Sequence, residues 1–197
     1  MTRRAKPTIE IVAPRADWPA QFDAIAARLA DAFGALAIRI EHIGSTSVPG
    51  LPAKDVIDVQ VSVASLDLPD DISDRLSREG FTLLLGAWSD HVPCNAEPTP
   101  ELWSKRYARA SVGARRAHVH IRRHGAPNER YALLFRDYLR TSPGAAGSYA
   151  LIKQELAARH SDDPDAYYAV KDPVCDLIMD AAERWATTTD WDRTKGA

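Results

Sequence analysis

The chain has 197 residues, 45% of them hydrophobic, with a formal net charge of −2 and a sequence pI near 6.3. This length and apolar content suffice for a buried core, and the near-neutral charge gives no global reason to expect nucleic acid or an anionic membrane as a partner. Cys94 and Cys175 lack zinc or disulfide spacing, and no apolar run suits a signal peptide or a bilayer span, so we expect a cytoplasmic protein.

Strand and helix patterns alternate along the first two thirds of the chain. We predict a short strand over 9–12, a helix over 18–33 that Gly34 ends, strands over 38–43 and 56–63, a helix over 69–79, a strand over 81–85 and an irregular region over 86–100. Strands over 103–112 and 117–123 then flank a short turn, which predicts a hairpin.

The apolar spacing becomes helical from residue 128 onward. We expect helices over about 128–141, 146–160 and 164–185, the last capped by Asp163 or Asp165 and kinked or divided by Pro173. The fold class is therefore α+β, a mixed β-sheet with packed helices and a helical C-terminal third. The chain is most simply one domain, with a sheet core over about 9–125, a helical part over 126–186 and a loose tail over 187–197.

The segment between the strands at 38–43 and 56–63 is rich in Gly, Ser, Thr and Pro. Its small and charged residues could hold phosphate through backbone N–H groups, hydroxyls and one ammonium: Gly44, Ser45, Thr46, Ser47 and Lys54. A plain polar turn whose hydroxyls bond their own backbone explains the same residues. A P-loop kinase is not expected, because no Gly-Lys-Ser/Thr triplet occurs and two prolines remove N–H donors.

Two of the predicted strands carry polar side chains at alternate positions. The first strand places Asp58, Gln60 and Ser62 on one face, and the second does the same with His118, His120 and Arg122. If the strands are neighbours, Asp58 and the two histidines could share a divalent metal, and either histidine could act as a general base. The alternative is a solvated or hydrogen-bonded strand face.

Residues 102–136 contain nine basic side chains against one acidic side chain. Within this region Lys105, Arg106 and Arg109 could grip phosphates or carboxylates, or they could form a solvated basic face that pairs with the acidic C-terminal helices. RNA binding is a weaker alternative, which predicts a steep salt dependence. Elsewhere, we expect His42 to be a hydrogen-bonded core histidine, whereas Lys171 could reach the site or lie on the surface.

The string His42-Ile-Gly-Ser-Thr-Ser-Val-Pro-Gly-Leu-Pro-Ala-Lys54, followed by Ile57-Asp58-Val59, resembles the signature of the GrpB family. Four later strings resemble that family's motifs in the same order, so the likeness spans roughly residues 9–180: His118-Val-His-Ile121, Phe135-Arg-Asp-Tyr-Leu139, Tyr149-Ala-Leu-Ile-Lys153 and Tyr167…Lys171. The resemblance implies a nucleotidyltransferase-like fold, in which a Gly-Ser turn holds nucleotide phosphates and carboxylates on adjacent strands bind magnesium. GrpB-like domains also occur fused to dephospho-CoA kinase, where they are described as accessory to folding or stability.

The resemblance assigns Gly44 and Ser45 to the turn and Asp58 to the first carboxylate, whereas Gln60 stands where a second carboxylate is usual. We therefore expect one of two functions. The chain either transfers a nucleotidyl group from a nucleoside triphosphate to an unknown small acceptor, with Mg or Mn, or it is a non-catalytic nucleotide-binding or accessory protein.

The expected site follows from both lines of reasoning. Its catalytic and metal residues are Asp58, His118 and His120, and its phosphate-binding residues are Gly44, Ser45, Thr46, Ser47, Lys54, Lys105, Arg106 and Arg122. The expected partner is a small nucleotide, with no membrane or nucleic acid, and a protein partner is left open.

Overall fold

The structure is a computed structural model that describes residues 8–94, 96 and 99–192. Within these residues the elements follow the order α1 (Trp18–Phe33), β1 (Ala37–Ile43), β2 (Ile57–Val63), α2 (Ile72–Arg78), β3 (Phe81–Ser89), β4 (Ser104–Ala110), β5 (Ala117–Arg123), α3 (Pro127–Thr141), α4 (Pro143–Arg159) and α5 (Pro164–Thr189). A strand-rich part therefore precedes three consecutive helices, which confirms the predicted α+β class. None of the described helices is long and apolar enough to cross a membrane.

The five strands form one mixed sheet in the order β1-β2-β5-β4-β3. β2 and β5 run parallel, whereas the β1–β2, β4–β5 and β3–β4 pairs are antiparallel. One sheet face packs against α1 and α2, where apolar side chains from β2 and β5 meet Leu29, Phe33 and Leu76 in the main core. The alternation of strand side chains leaves the polar positions of β2 and β5 on the opposite face.

The polar face of β2 is covered by α3. Gln60 and Ser62 are fully buried there, and the Ser62 hydroxyl donates to the Glu129 carboxylate at 2.7 Å. α5 packs behind α3 through a smaller apolar cluster that includes Leu134, Met179 and Ala182. The helical part thus forms a second layer on the sheet, and the space between the layers can hold a ligand.

The predicted strand over 9–12 is wrong. The structure gives this segment a single bridge between Val12 and Ala53, since no neighbouring strand extends the pairing. β3 runs on to Ser89, four residues past its predicted end, because its later residues still pair with the start of β4. The irregular region is therefore shorter than predicted.

The helix boundaries differ from prediction at two places. α4 begins at Pro143, where proline fits the first turn because its missing N–H is not needed there. α5 is not divided by Pro173 and continues to Thr189, beyond the predicted start of a loose tail, and Asp190 ends it in the left-handed conformation at φ +50°. The final tail residues, 193–197, lie outside the described residues.

Candidate functional site

The turn after β1 lies directly against the start of β2. Ile43 pairs with Asp58 across the two antiparallel strands, and Gly44 follows with φ +70° and ψ −171°. A Cβ at Gly44 would come within 2.5 Å of Asp58 Oδ2. Only glycine therefore fits here, because the backbone of the turn passes close to the carboxylate.

Parallel pairing of β2 with β5 places Asp58 opposite His118 and Gln60 opposite His120. Asp58 Oδ1 lies 3.4 Å from His118 Nδ1 and 3.8 Å from His120 Nε2. The predicted convergence of the carboxylate and both imidazoles is thus confirmed. Their catalytic and metal-binding roles stay predictions.

Electrostatics give Asp58 and His120 different charges at neutral pH. Burial opposes ionisation of Asp58, but hydrogen bonding and charge interactions with His118 and His120 hold the pKa of its carboxyl below the usual range. Burial lowers the pKa of His120 to about 4, against the opposing influence of Asp58. The cleft therefore combines a carboxylate anion with a neutral imidazole that can accept a proton.

Arg122 is the centre of a buried network beside this pair. It donates to Gln60 Oε1 at 2.6 Å and to both oxygens of Asp90 at 2.8 and 2.9 Å. Lys105 donates to the same carboxylate at 2.5 Å and lies 3.1 Å from His120 Nδ1. Burial opposes the charge on Asp90, but Arg122 and Lys105 outweigh it and hold its pKa below the usual range.

A cavity of about 590 Å³ opens between the sheet and the helices. Its lining includes most of the predicted site residues: Gly44, Ser45, Thr46, Lys54, Asp58, His118, His120 and Arg122. This volume lies in the range of small-molecule sites.

Three predicted phosphate-binding residues do not line the cavity. Ser47 is buried, and its hydroxyl donates to the Gly44 carbonyl at 2.6 Å. Lys105 is held by Asp90, as described above. Arg106 lies on the opposite face of β4 from Lys105 and Tyr107, and it donates to the Leu66 carbonyl at 3.0 Å. These three side chains therefore do not line the cavity, and their phosphate-binding role stays a prediction.

The predicted basic region does not form one surface. Arg136 is 3% exposed and pairs with Glu41 and Asp137, so it is a buried structural residue. Arg130 pairs with Glu183 on α5, as the alternative of pairing with acidic helices predicts. A continuous nucleic-acid face therefore has no support in these residues.

His42 is a core residue, as predicted. Its side chain is buried, its Nε2 lies 3.0 Å from Thr46 Oγ1, and its ring stacks on Phe22 at 4.7 Å. Burial lowers the pKa of His42 to about 4, so the ring is neutral at physiological pH. Its contact with Thr46 stabilises the turn.

The cavity also has a lysine wall, formed by Lys54, Lys153 and Lys171, which sequence reasoning identified only in part. Lys153 on α4 is 2% exposed, and its ammonium group donates to Ser45 Oγ at 2.8 Å and to the Pro52 carbonyl at 2.7 Å. Burial, with Lys171 and Lys54 nearby, lowers the pKa of Lys153 to about 7. The only sequence signal for Lys153 was its place at the end of one family-like string.

Two tyrosines at the start of α5 adjoin the lysine wall. Lys54 donates to the Tyr168 hydroxyl at 2.6 Å, and Lys171 lies 5.7 Å from the same ring. Tyr167 is fully buried and lines the cavity, yet no described residue hydrogen-bonds its hydroxyl. Burial raises the pKa of Tyr167 to about 12, so this unpartnered hydroxyl keeps its proton and can donate.

The donors present do not fit the carboxylate set that holds magnesium. In the described part of the chain, no group of three His, Cys, Asp or Glu side chains is arranged to hold a metal ion. Asp90 is occupied by two cations, and the Gln60 oxygen accepts from Arg122. Asp58 is left as a single carboxylate between imidazoles, whereas Mg²⁺ prefers an oxygen octahedron.

Comparison with known proteins places these residues in context. A family model described as GrpB protein matches residues 8–181. A dephospho-CoA kinase of Mycolicibacterium paratuberculosis is 38% identical over 95% of this chain and 49% of its own length, so the chain spans about half the length of such relatives. The UPF0157 protein SCO7215 of Streptomyces coelicolor is 34% identical over 79% of this chain and 74% of that protein.

One solved structure gives the same assignment. A crystal structure of conserved protein GrpB from Enterococcus faecalis aligns with a TM-score of 0.71 and 30% identity, over 89% of this chain and 99% of that chain. A structure of the Cid1 poly(U) polymerase aligns at a TM-score of only 0.44 with 11% identity, a level that supports no conclusion. The family model and the Enterococcus structure both extend over the turn, the sheet and the helices described above, and the chain belongs to the GrpB protein family.

Proposed function

We propose that the protein binds a nucleotide in the cavity, with the phosphates on the lysine wall, and that it acts as a binding or accessory protein rather than as a magnesium-dependent transferase. The carrying observation is the convergence of three ammonium groups on one cavity. Among the described residues, neither Lys54 nor Lys153 pairs with a carboxylate. Clustered like charges repel, and a polyanion relieves that repulsion.

The neighbouring groups suit phosphate as well. Phosphate oxygens only accept hydrogen bonds, and Ser45, Tyr167 and the lysine wall offer donors to the same cavity. The bare backbone of Gly44 allows close approach at the turn. Asp58 would repel phosphate, so we place it against a hydroxyl of the sugar, from which a carboxylate accepts readily.

Relatives named dephospho-CoA kinase widen the set of candidate ligands. CoA and dephospho-CoA are adenine nucleotides with several phosphates, so they present the chemistry that the lysine wall favours. The chain spans about half the length of those relatives. An accessory role toward a dephospho-CoA kinase is therefore part of this proposal.

Calorimetry with purified protein tests the proposal. The ligands are ATP, CTP, GTP, UTP, dephospho-CoA and inorganic tripolyphosphate, each with and without magnesium or manganese. We expect at least one nucleotide to bind, and Lys54→Gln to weaken it roughly tenfold or more, because a charge-assisted contact is lost. Arg159→Gln is the matched control, since it removes one positive charge from an exposed position on α4.

Two results would contradict the proposal. One is the absence of binding to the wild-type protein at millimolar ligand. The other is an equal effect of Lys54→Gln and Arg159→Gln, which would mean that only the overall charge matters.

A second candidate function is nucleotidyl transfer, and one observation favours it. Asp58 faces two imidazoles inside the cavity, and His118 could take the proton from an acceptor hydroxyl. In this candidate Asp58, His118 and His120 are the predicted ligands of a divalent metal, but no group of three such side chains in the described part of the chain is arranged to hold one. Pyrophosphate release is the assay, with each triphosphate, Mg or Mn, and a panel of small acceptors.

The transfer candidate expects metal-dependent pyrophosphate release that Asp58→Asn abolishes. The binding proposal expects the wild-type protein to release no more pyrophosphate than Asp58→Asn. The same preparations must bind nucleotide in calorimetry, so that an inactive protein is not mistaken for a non-catalytic one.

A further inference from the structure

The side-chain amide of Asn128, at the start of α3, has hydrogen-bond partners at its nitrogen and none among the described residues at its oxygen. Its Nδ2 lies 3.0 Å from Asp90 Oδ2, 3.0 Å from the Trp103 carbonyl and 3.1 Å from the Ser104 carbonyl. Three acceptors around one nitrogen fix the orientation of the amide. Its Oδ1 is buried and accepts no hydrogen bond from any described residue.

An unpaired buried acceptor is rare and costly, and it marks a place where a donor is missing. Asn128 is 1% exposed and belongs to the lining of the same cavity as the lysine wall. The nearby Asp90 carboxylate also lines this end of the cavity. Asp90 is already engaged by Arg122, Lys105 and Asn128, so the unpaired acceptor here is Asn128 Oδ1, and a ligand group that reaches it must bring an N–H or O–H donor.

The surroundings of Asn128 are aromatic. Trp103 and Tyr131 meet edge to face with ring centroids 6.0 Å apart, and Tyr131 stacks on Phe135 at 6.3 Å. All three rings line the cavity, so we name them the aromatic end. Flat heterocycles pack well against such rings.

We propose that the aromatic end is a base subsite that selects nucleotides whose base carries an exocyclic amino group, with Asn128 Oδ1 as the acceptor. This inference rests on the proposed function. Cytosine and adenine present an amine on their pairing edge, whereas uracil and hypoxanthine present a carbonyl oxygen at the same position. That oxygen would face Asn128 Oδ1 without a proton between them. Because Oδ1 is covered in the structure, displacement of the aromatic lining by the base is part of the proposal.

Matched pairs of nucleotides test this specificity. We compare CTP with UTP and ATP with inosine triphosphate by calorimetry at constant salt and magnesium. Each pair exchanges the exocyclic amine for a carbonyl and turns the adjacent ring nitrogen from an acceptor into an N–H donor. We expect the amino base to bind about tenfold or more tightly, because its amine donates to Asn128 Oδ1. Equal affinities within each pair for the wild-type protein already overturn the inference, and that result does not depend on the folding of any variant.

Two variants locate the preference. Asn128→Leu keeps a similar volume but removes the acceptor, so we expect the CTP-to-UTP ratio to fall to about one while tripolyphosphate still binds. Lys54→Gln should weaken all four triphosphates and leave their ratios unchanged. Circular dichroism establishes that Asn128→Leu retains the wild-type fold before its affinities are compared.

The outcomes separate the two proposals. If neither a triphosphate nor dephospho-CoA binds, the proposed function fails, and this inference fails with it; if dephospho-CoA alone binds, the inference fails while the proposed function stands. If the triphosphates bind with equal affinity within each pair, or if the preference survives in Asn128→Leu, the inference is overturned while the proposed function stands.

Discussion

Gly44 and Asp58 share one small space where β1 ends and β2 begins. The positive φ of Gly44 and the predicted 2.5 Å approach of a Cβ to Asp58 Oδ2 are separate reasons for glycine. Gly50 has a similar φ of +75° but nothing within 4 Å of its Cβ position. Comparing an alanine substitution at each glycine therefore separates the cost of backbone strain from the cost of crowding against Asp58.

Gly44→Ala should destabilise the protein more than Gly50→Ala. Alanine at a sparsely populated positive-φ backbone costs about 1–3 kcal/mol at either residue, and overpacking against Asp58 adds about 1–3 kcal/mol at position 44 alone. Urea denaturation of both variants gives the difference in the free energy of unfolding.

The excess cost at position 44 should shrink when Asp58 is truncated. In an Asp58→Ala background, Gly44→Ala no longer meets the carboxylate oxygen at 2.5 Å, and only the tight 3.0 Å approach to the Cβ of residue 58 is left, so most of the excess cost is removed. Equal costs of Gly44→Ala in the two backgrounds would show that the contact with Asp58 does not set the glycine requirement.

Lys153 predicts a specific dependence of stability on pH. Burial and the nearby lysines lower its pKa from 10.5 to about 7 in the folded state. Between these two values the unfolded chain binds more protons, so the contribution of Lys153 to the free energy of unfolding rises with pH from about 7 to about 10.5. Below this window both states are protonated, and the full penalty of a buried charge is present.

Comparison of the wild-type protein with Lys153→Met isolates this effect, because the other titrating groups are common to both. From pH 7 to 9 the stability of the wild-type protein should rise relative to the variant, by up to about 1.4 kcal/mol per pH unit. Chemical denaturation at several pH values measures the difference. Parallel pH profiles would contradict a buried, shifted lysine.

Sequence reasoning located the site residues that follow local rules. Alternation along β2 and β5 predicted that Asp58, His118 and His120 would share a face, because the period of a strand depends only on neighbouring residues. Asp90, Asn128 and Lys153 were missed. Each lies in an irregular segment or at a helical position, and each gains its role only through contacts with distant parts of the chain.

At the level of elements, α5 supplies the cavity with residues at regular spacing. Tyr167, Lys171 and Cys175 recur every fourth residue and all line the cavity, so one face of the helix contributes them. The start of this helix is fixed by Asp163, whose side chain accepts from the Ala166 N–H at 3.2 Å. Asp165 lies in the first turn and makes no such capping bond.

Asp163→Ala should destabilise the protein by about 1 kcal/mol, because an unsatisfied N–H at the helix start is exposed. Asp165→Ala is the control, since it removes an equal charge near the same helix end without removing the capping bond. Thermal denaturation of both variants measures the difference. Equal shifts would mean that the charge, and not the hydrogen bond, stabilises the start of α5.

The elements were predictable where a pattern is long and periodic. The hairpin of β4 and β5 and the helices α1, α2 and α3 appear near their predicted positions. The sequence did not predict that β2 and β5 are adjacent, parallel strands, because strand order depends on packing between distant segments. The segment over 9–12 has a strand pattern but no neighbouring strand to pair with, so it forms only one bridge.

For the whole molecule, the cavity joins segments that are far apart in the chain. Lys153 and Ser45 are 108 positions apart, and Lys54 and Tyr168 are 114 positions apart, yet each pair is hydrogen-bonded. These contacts tie the turn after β1 to α4 and α5. A ligand between the two layers would therefore oppose their separation.

Hydrogen exchange should show this coupling when a triphosphate is added. At a ligand concentration of about one hundred times the dissociation constant, binding stabilises the ligand-binding state by about 2.7 kcal/mol. Hydrogen exchange that requires separation of the two layers should therefore slow roughly a hundredfold. We expect protection in the turn over 44–56 and in the cavity-facing turns of α4 and α5. Local openings of α2, which packs on the opposite sheet face, should be unchanged. Lys54→Gln at the same ligand concentration should lose most of the protection, and protection of the turn without the helices would contradict a ligand that bridges both layers.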